Sequence, residues 1–303
     1  RGLGDVYKRQ LLSPSPDASG QNPGADLNKT FGRGAFQTLA GDHAAVRYSA
    51  GSLDRAHHLL NRLEALSWQF GRWSDEPGLL GVYLLRPDEW GELAPPDLYG
   101  LPMRLTPTVM LVPAVGTESS VRLWREWLGP GGLPTLPGTP LVGEQDEVAS
   151  LMVADVFLQL EAARGFVRSA GIVGETVWMT DLLAHIVALE VFHEFERSRL
   201  DELGRLFDRL DAALADSALP LGQYRPWVYG ADDAQIESWL WFQAQLARGA
   251  RPILDREGRG AVKRLEKLRG KDGGVLRWQT LVERYPHLEG WRAALESGPA
   301  DGP

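Results

Sequence analysis

The spacing of apolar residues changes character along this chain. From Leu53 to Phe70, the residues Leu59, Leu60, Leu63, Leu66 and Phe70 recur at three- and four-residue intervals, which predicts an amphipathic helix. Leu79 to Pro87 (LLGVYLLRP) is instead a continuous apolar run bounded by Pro77-Gly78 and Pro87, the pattern of a buried strand. Val109 to Ala114 (VMLVPA) is a second such run, and Pro113 predicts a sheet edge or a strand end there. His43 to Ser49 predicts a further short strand before a turn at Gly51. Asp88 and Glu89 open a short helix or turn around Trp90, Leu98 to Pro102 (LYGLP) reads as a turn-rich loop, and Val121 to Leu128 as a short helix.

Beyond Asp146 only the helical period remains. Helices are predicted over Val148 to Val167, Thr176 to Arg199 continuing with breaks to Leu214, Asp232 to Glu257, Ala261 to Arg269 and Trp278 to Leu295. Gly129 to Pro140 (GPGGLPTLPGTP) is the strongest break in the chain. Strands with a helix first and helices afterwards predict an α+β fold. A small mixed sheet with helices occupies residues 36–140, a helical subdomain residues 141–297, and a tail residues 298–303. Residues 11–35, rich in Ser, Pro, Gly and Asn, read as a disordered leader. Asp5 to Gln10 (DVYKRQ) reads as translated sequencing-library adaptor, so residues 1–10 are set apart from fold reasoning and the native start is expected upstream. Without Arg1, Asp5, Lys8 and Arg9, three cations and one anion, the net charge moves from -8 to -10. A cytoplasmic location is the expectation, with a signal peptide upstream left open.

Composition narrows the chemistry. The 303 residues suit one large domain or two modest ones. No run approaches the ~20 apolar residues of a membrane-spanning helix. The absence of cysteine excludes disulfides, thiolate zinc sites, iron–sulfur clusters and cysteine nucleophiles together. The net charge and a pI near 5.4 argue against a nucleic-acid partner, which needs a basic face. The eleven tryptophans read as large packing residues. No phosphate loop or Gly-x-Ser-x-Gly elbow occurs.

Six histidines remain as transition-metal donors: His43, His57, His58, His185, His193 and His287. Adjacent His57 and His58 point ~100° apart on a helix and read as solvated or capping residues. Asp181 and His185 are four apart, Glu190 and His193 three apart, so each pair shares a helix face and is a candidate metal pair; the alternative is a solvated or interhelical hydrogen-bonding role. Glu190, Glu194, Glu196, Asp201 and Glu202, interleaved with Arg197 and Arg199, read as a salt-laced surface.

Taken in order, several stretches resemble a family of bacterial peptidase-like proteins with the zincin fold, of the gluzincin type. GVYLLRPDEW resembles the family's first core strand and turn, LYGLP its Tyr-Gly-Leu/Met-Pro loop, and VMLVPA its edge strand. FLQLEAARGFVRSAGI resembles the His-Glu-x-x-His helix, VWMTDLLAHIVALEVF the helix of the third ligand, and ESWLWFQAQLARGARPILDREG a late Tyr-x-Trp-Phe/Tyr-Gln helix. In active members two histidines four apart and a glutamate from the next helix bind zinc, while the motif's own glutamate activates the bound water. Here the motif reads Leu160-Glu161-Ala162-Ala163-Arg164. The resemblance therefore places Glu161 at the general-base position, Leu160 and Arg164 at lost ligand positions, and Asp181 at the third-ligand position. It implies zinc for the family and no cofactor for this chain, since Arg164 repels a metal and only donates hydrogen bonds. Arg164 is expected to occupy the vacated site and to pair with Asp181 or Glu161. Without the resemblance, LEAAR is an ordinary helix with Phe157, Leu160, Phe166 and Val167 buried.

The leading expectation is a non-catalytic, peptidase-like protein. Its cleft lies beside the VMLVPA edge strand, includes Tyr99, Val109 and Leu111, and holds an extended polypeptide by strand addition. The alternatives are a hydrolase with a rearranged site of Glu161, Asp181 and His185, the latter two as metal ligands, and a purely structural protein whose cleft is filled by side chains.

Overall fold

The structure is a computed structural model that describes residues 35–72, 80–106, 109–129, 133, 144–226, 232–269 and 274–297. The adaptor-like segment, the leader up to residue 34, most of the break between Gly129 and Pro140, and the tail from residue 298 lie outside the described residues. Two short strands open the fold, β1 (Gln37–Ala40) and β2 (Ala44–Tyr48), followed by helix α1 (Leu53–Gly71). Then come β3 (Leu80–Leu85), the short helix α2 (Pro87–Gly91), β4 (Met103–Thr106), β5 (Val109–Pro113) and α3 (Glu118–Leu128). The second half is helical: α4 (Gln145–Ser169), α5 (Val177–Phe195), α6 (Leu200–Ala213), α7 (Asp233–Glu257), α8 (Ala261–Leu268), α9 (Trp278–Arg284) and α10 (His287–Glu296). The fold is thus mixed α+β with a small five-stranded sheet. No described helix is long and apolar enough to cross a membrane.

Strand order in the sheet is β1-β2-β3-β5-β4. The three inner strands β2, β3 and β5 are parallel, and the outer strands β1 and β4 run antiparallel to their neighbours. This corrects the sequence reading in one consequential place. VMLVPA is β5, an inner strand between β3 and β4, and the strand at that end of the sheet is the unanticipated β4. Pro113 marks the end of β5 rather than an edge: it pairs with Leu85, and the next residue, Ala114, donates its N–H to the Leu85 carbonyl at 2.9 Å. Strand β1 was not foreseen either. Trp278 to Leu295, expected as one helix, divides into α9 and α10 at Tyr285-Pro286, because proline cannot donate within a helix interior.

Alternation along the strands sends side chains to two faces. Val82, Leu84, Met110 and Val112 join the main core with α1, α4 and α5, while Tyr83, Leu85 and Leu111 join a smaller cluster with Trp90, Tyr99 and Met103. The main core runs on through both halves of the chain, from Ala44 to Leu295. At its centre is α5, buried on every side from Trp178 to Phe192 and packed between α4 and α7. A helix apolar around its whole circumference belongs in such a place. The Thr176 hydroxyl caps its start by accepting from the Met179 N–H at 3.3 Å.

Candidate functional site

Helices α4 and α5 carry three buried charged residues to one point. On α4, Glu161 and Arg164 are three residues apart and share a face; both are buried, Arg164 with 2% of its surface exposed. Arg164 ion-pairs with Glu161 and places its Nε 3.1 Å from Oδ1 of Asp181, which is fully buried on α5. The guanidinium also donates to the side-chain oxygen of Gln243 and lies 5.4 Å from the ring centre of Trp239, both on α7. The other carboxylate oxygen of Asp181 accepts from the hydroxyl of Tyr224, which precedes α7. Gln243 is held in turn by donating to the Trp239 carbonyl at 3.1 Å. From the sheet, Arg104 of β4 brings its Nε to 3.4 Å from Glu161.

The expected pairing of Arg164 with Asp181 or Glu161 is therefore present with both partners. The ion pairs offset the large desolvation cost of two carboxylates, while Tyr224 donates to the Asp181 oxygen that the arginine does not reach and Gln243 accepts a guanidinium N–H. Burial, reinforced by Asp181, pushes the Tyr224 hydroxyl far above its ordinary pKa, so it stays a donor. Burial lowers the pKa of Arg104 to about 9, with Arg168 and Arg164 adding repulsion.

These residues do not fit a zinc ion. Leu160 packs in the main core and offers no donor, and Arg164 puts N–H groups and a positive charge between the two carboxylates. Asp181 and His185 are not presented as a ligand pair either. His185 turns its Nδ1 to the main-chain carbonyl of Asp181 at 2.9 Å, so that nitrogen carries the proton, while the Asp181 carboxylate faces Arg164 and Tyr224. Burial and then Arg164 depress the His185 pKa to about 4, leaving it neutral. Among the described residues no three His, Asp or Glu side chains converge as a metal site.

Three further readings are corrected. Tyr99, Val109 and Leu111 do not line a cleft with Arg164, because they pack in the smaller cluster on the sheet face away from α4. The Tyr99 ring stands edge-on to Trp90 at 5.6 Å, its hydroxyl donates to the Val115 carbonyl at 2.9 Å, and burial pushes its pKa up to about 12. His58 is not solvated; its Nε2 lies 3.4 Å from Asp155. Burial would raise the Asp155 pKa, but a two-pronged pair with Arg55 at 2.9 and 2.5 Å, the His58 hydrogen bond and Arg62 hold it well below the usual carboxylate range. Arg62 continues to Glu196 at 2.9 Å, so this second charged network ties α1 to α4 and to the end of α5. Glu190, read as surface, is fully buried and accepts from the N–H of Val262 at the start of α8, at 2.7 Å.

Arg104, Tyr224, Trp239 and Gln243 are site residues that the sequence reading did not single out. Trp239 and Gln243 lie within the quoted ESWLWFQAQ stretch. Arg104 had a detectable signal: Met103 to Thr106 alternates apolar and polar residues, and the pair Pro107-Thr108 separates it from β5 at hairpin spacing.

Together, fold and site define a mixed α+β protein in which a buried arginine–carboxylate cluster lies beneath the last strand of its sheet. No family model, curated protein or solved structure matches the chain.

Proposed function

We propose that this chain is a non-catalytic protein related to the gluzincin-type peptidases, which binds extended polypeptide along the outer edge of β4. The observation that carries the reading is the position of Arg164. It sits between Glu161 and Asp181, the residues that the resemblance assigns to the general-base and third-ligand positions, directly under an edge strand that sends Arg104 into the same cluster. Among the described residues no strand pairs with the outer edge of β4. Its main-chain N–H and C=O groups are the natural template for strand addition. The binding edge is therefore β4, not β5.

Hydrolysis through Glu161 has no support in this arrangement. Its carboxylate is paired with Arg104 and Arg164, two cations that stand where a general base would have to meet its water. The test is to incubate the full chain with a reduced, unfolded polypeptide and zinc, following retention by size-exclusion chromatography and cleavage by mass spectrometry. Retention of intact polypeptide is expected. Cleavage that disappears in Glu161→Gln overturns the non-catalytic reading, and failure to retain the polypeptide overturns the binding reading.

A further inference from the structure

We infer that the segment bound at β4 carries an aspartate or glutamate, whose carboxylate pairs with Arg104 and Arg168. The inference rests on the β4-edge reading above and adds the chemistry of its ligand. Arg104 lies opposite Met110 in the β4–β5 register, and Met110 faces the main core. Directly opposed residues of an antiparallel pair share a face, so Arg104 points to the α4 side while its neighbour Met103 points with Leu111 to the other. A strand added at the edge lies ~4.8 Å from β4, and its residue opposite Arg104 sends a side chain to that same α4 side.

Charge there is unbalanced. Arg104 and Arg164 pair with Glu161 and Asp181, and Arg168, one turn beyond Arg164 on α4 and near enough for its charge to act on Arg104, brings the local count to three cations against two carboxylates. Both carboxylates are committed to Arg164, which leaves Arg104 one contact to Glu161 through Nε and a buried Nη1 with no hydrogen-bond partner. Arg168 follows Arg164 by one helical turn, is exposed, and makes no ion pair among the described residues. The lowered pKa of Arg104 has the same origin, burial together with the nearby Arg168 and Arg164. A carboxylate brought by the ligand supplies the missing charge, and its two oxygens suit a guanidinium better than any neutral side chain does. A lysine at the same place meets two unneutralised arginines.

The experiment is fluorescence anisotropy on the full chain with three labelled peptides, acetyl-Thr-Val-Thr-X-Thr-Val-Thr-amide, in which X is Glu, Gln or Lys. The Glu peptide is expected to bind about tenfold more tightly than the Gln peptide, a ratio typical of one charge-assisted hydrogen bond, and the Lys peptide most weakly. The preference for Glu over Gln, read as a ratio of affinities within each variant, should fall to within about twofold in Arg104→Gln and shrink in Arg168→Gln. Arg168 is exposed, so its variant is informative even where Arg104→Gln folds poorly. Equal binding of all three peptides, or a preference unchanged in both variants, overturns the acidic-ligand inference and leaves edge binding standing. No binding of any peptide overturns both.

Discussion

Arg164 holds two buried carboxylates on separate helices, and its removal isolates both. Arg164→Met should cost about 3–5 kcal/mol of unfolding free energy by urea titration, because Glu161 and Asp181 are then buried without their main counter-charge. Combining it with Glu161→Gln and Asp181→Asn should recover most of that loss, since the penalty comes from orphaned charge rather than from lost attraction. Glu190 presents a different balance. Burial raises its pKa from 4.5 to about 7 despite the N–H it accepts from Val262, with Glu194 adding repulsion. The folded chain therefore holds this proton more tightly than the unfolded chain, and the stability it brings fades as pH rises from near 4.5 through 7. Relative to wild type, Glu190→Gln should gain about 2–3 kcal/mol between about pH 5 and about pH 8, measured as the difference between two unfolding curves at each pH. His185 acts in the opposite direction, losing stability as pH falls from 6.5 towards about 4. Only the difference between variant and wild type isolates Glu190.

Among the elements, the long helices were the most legible from sequence. Helices α4, α5 and α7 are long apolar-rich stretches of 19 to 25 residues, and their observed bounds lie within a few residues of the expected ones. The outer strands were harder to read. Four residues of β1 and four of β4, even with the alternation of Met103 to Thr106, do not specify a strand by themselves, and their pairing comes from β2 and β5, which only the folded sheet supplies. Two glycines inside helices show the same dependence on tertiary context. Gly204 on α6 has open space where a side chain would go, whereas a Cβ at Gly249 on α7 would sit 2.8 Å from the Trp291 ring of α10. Trp291 cannot easily withdraw, because its indole N–H donates to the Gln245 carbonyl at 3.0 Å. Gly204→Ala should stabilise the protein by up to about 1 kcal/mol through helix propensity, while Gly249→Ala should lose about 1–3 kcal/mol despite the same propensity gain. Thermal melts of the two variants should therefore move in opposite directions.

For the whole molecule, the sequence carried the α+β class, the order of its parts and the meeting of Glu161, Arg164 and Asp181. It did not carry the residues that complete the cluster, because Arg104, Tyr224 and Gln243 arrive from three other segments whose local patterns resemble ordinary packing. The proposed relation to zinc peptidases can be tested without any peptide. Leu160→His with Arg164→His places two imidazoles one turn apart on α4, near an Asp181 carboxylate that Tyr224 holds, and the folded double variant should take up one zinc ion per chain by metal analysis. A folded double variant that takes up none counts against the proposed relation. The charge on β4 also bears on solubility. A bare strand edge invites a second copy of the same chain, and an inward-pointing charge is one of the ways natural sheets discourage such stacking. In an antiparallel pairing of two copies centred on Arg104, the two guanidiniums would meet on one face, where like charges oppose association. Arg104→Val should make the protein's light scattering rise with concentration while wild type stays flat. The side chain proposed to welcome an acidic visitor would then also serve as the guard that keeps identical chains apart.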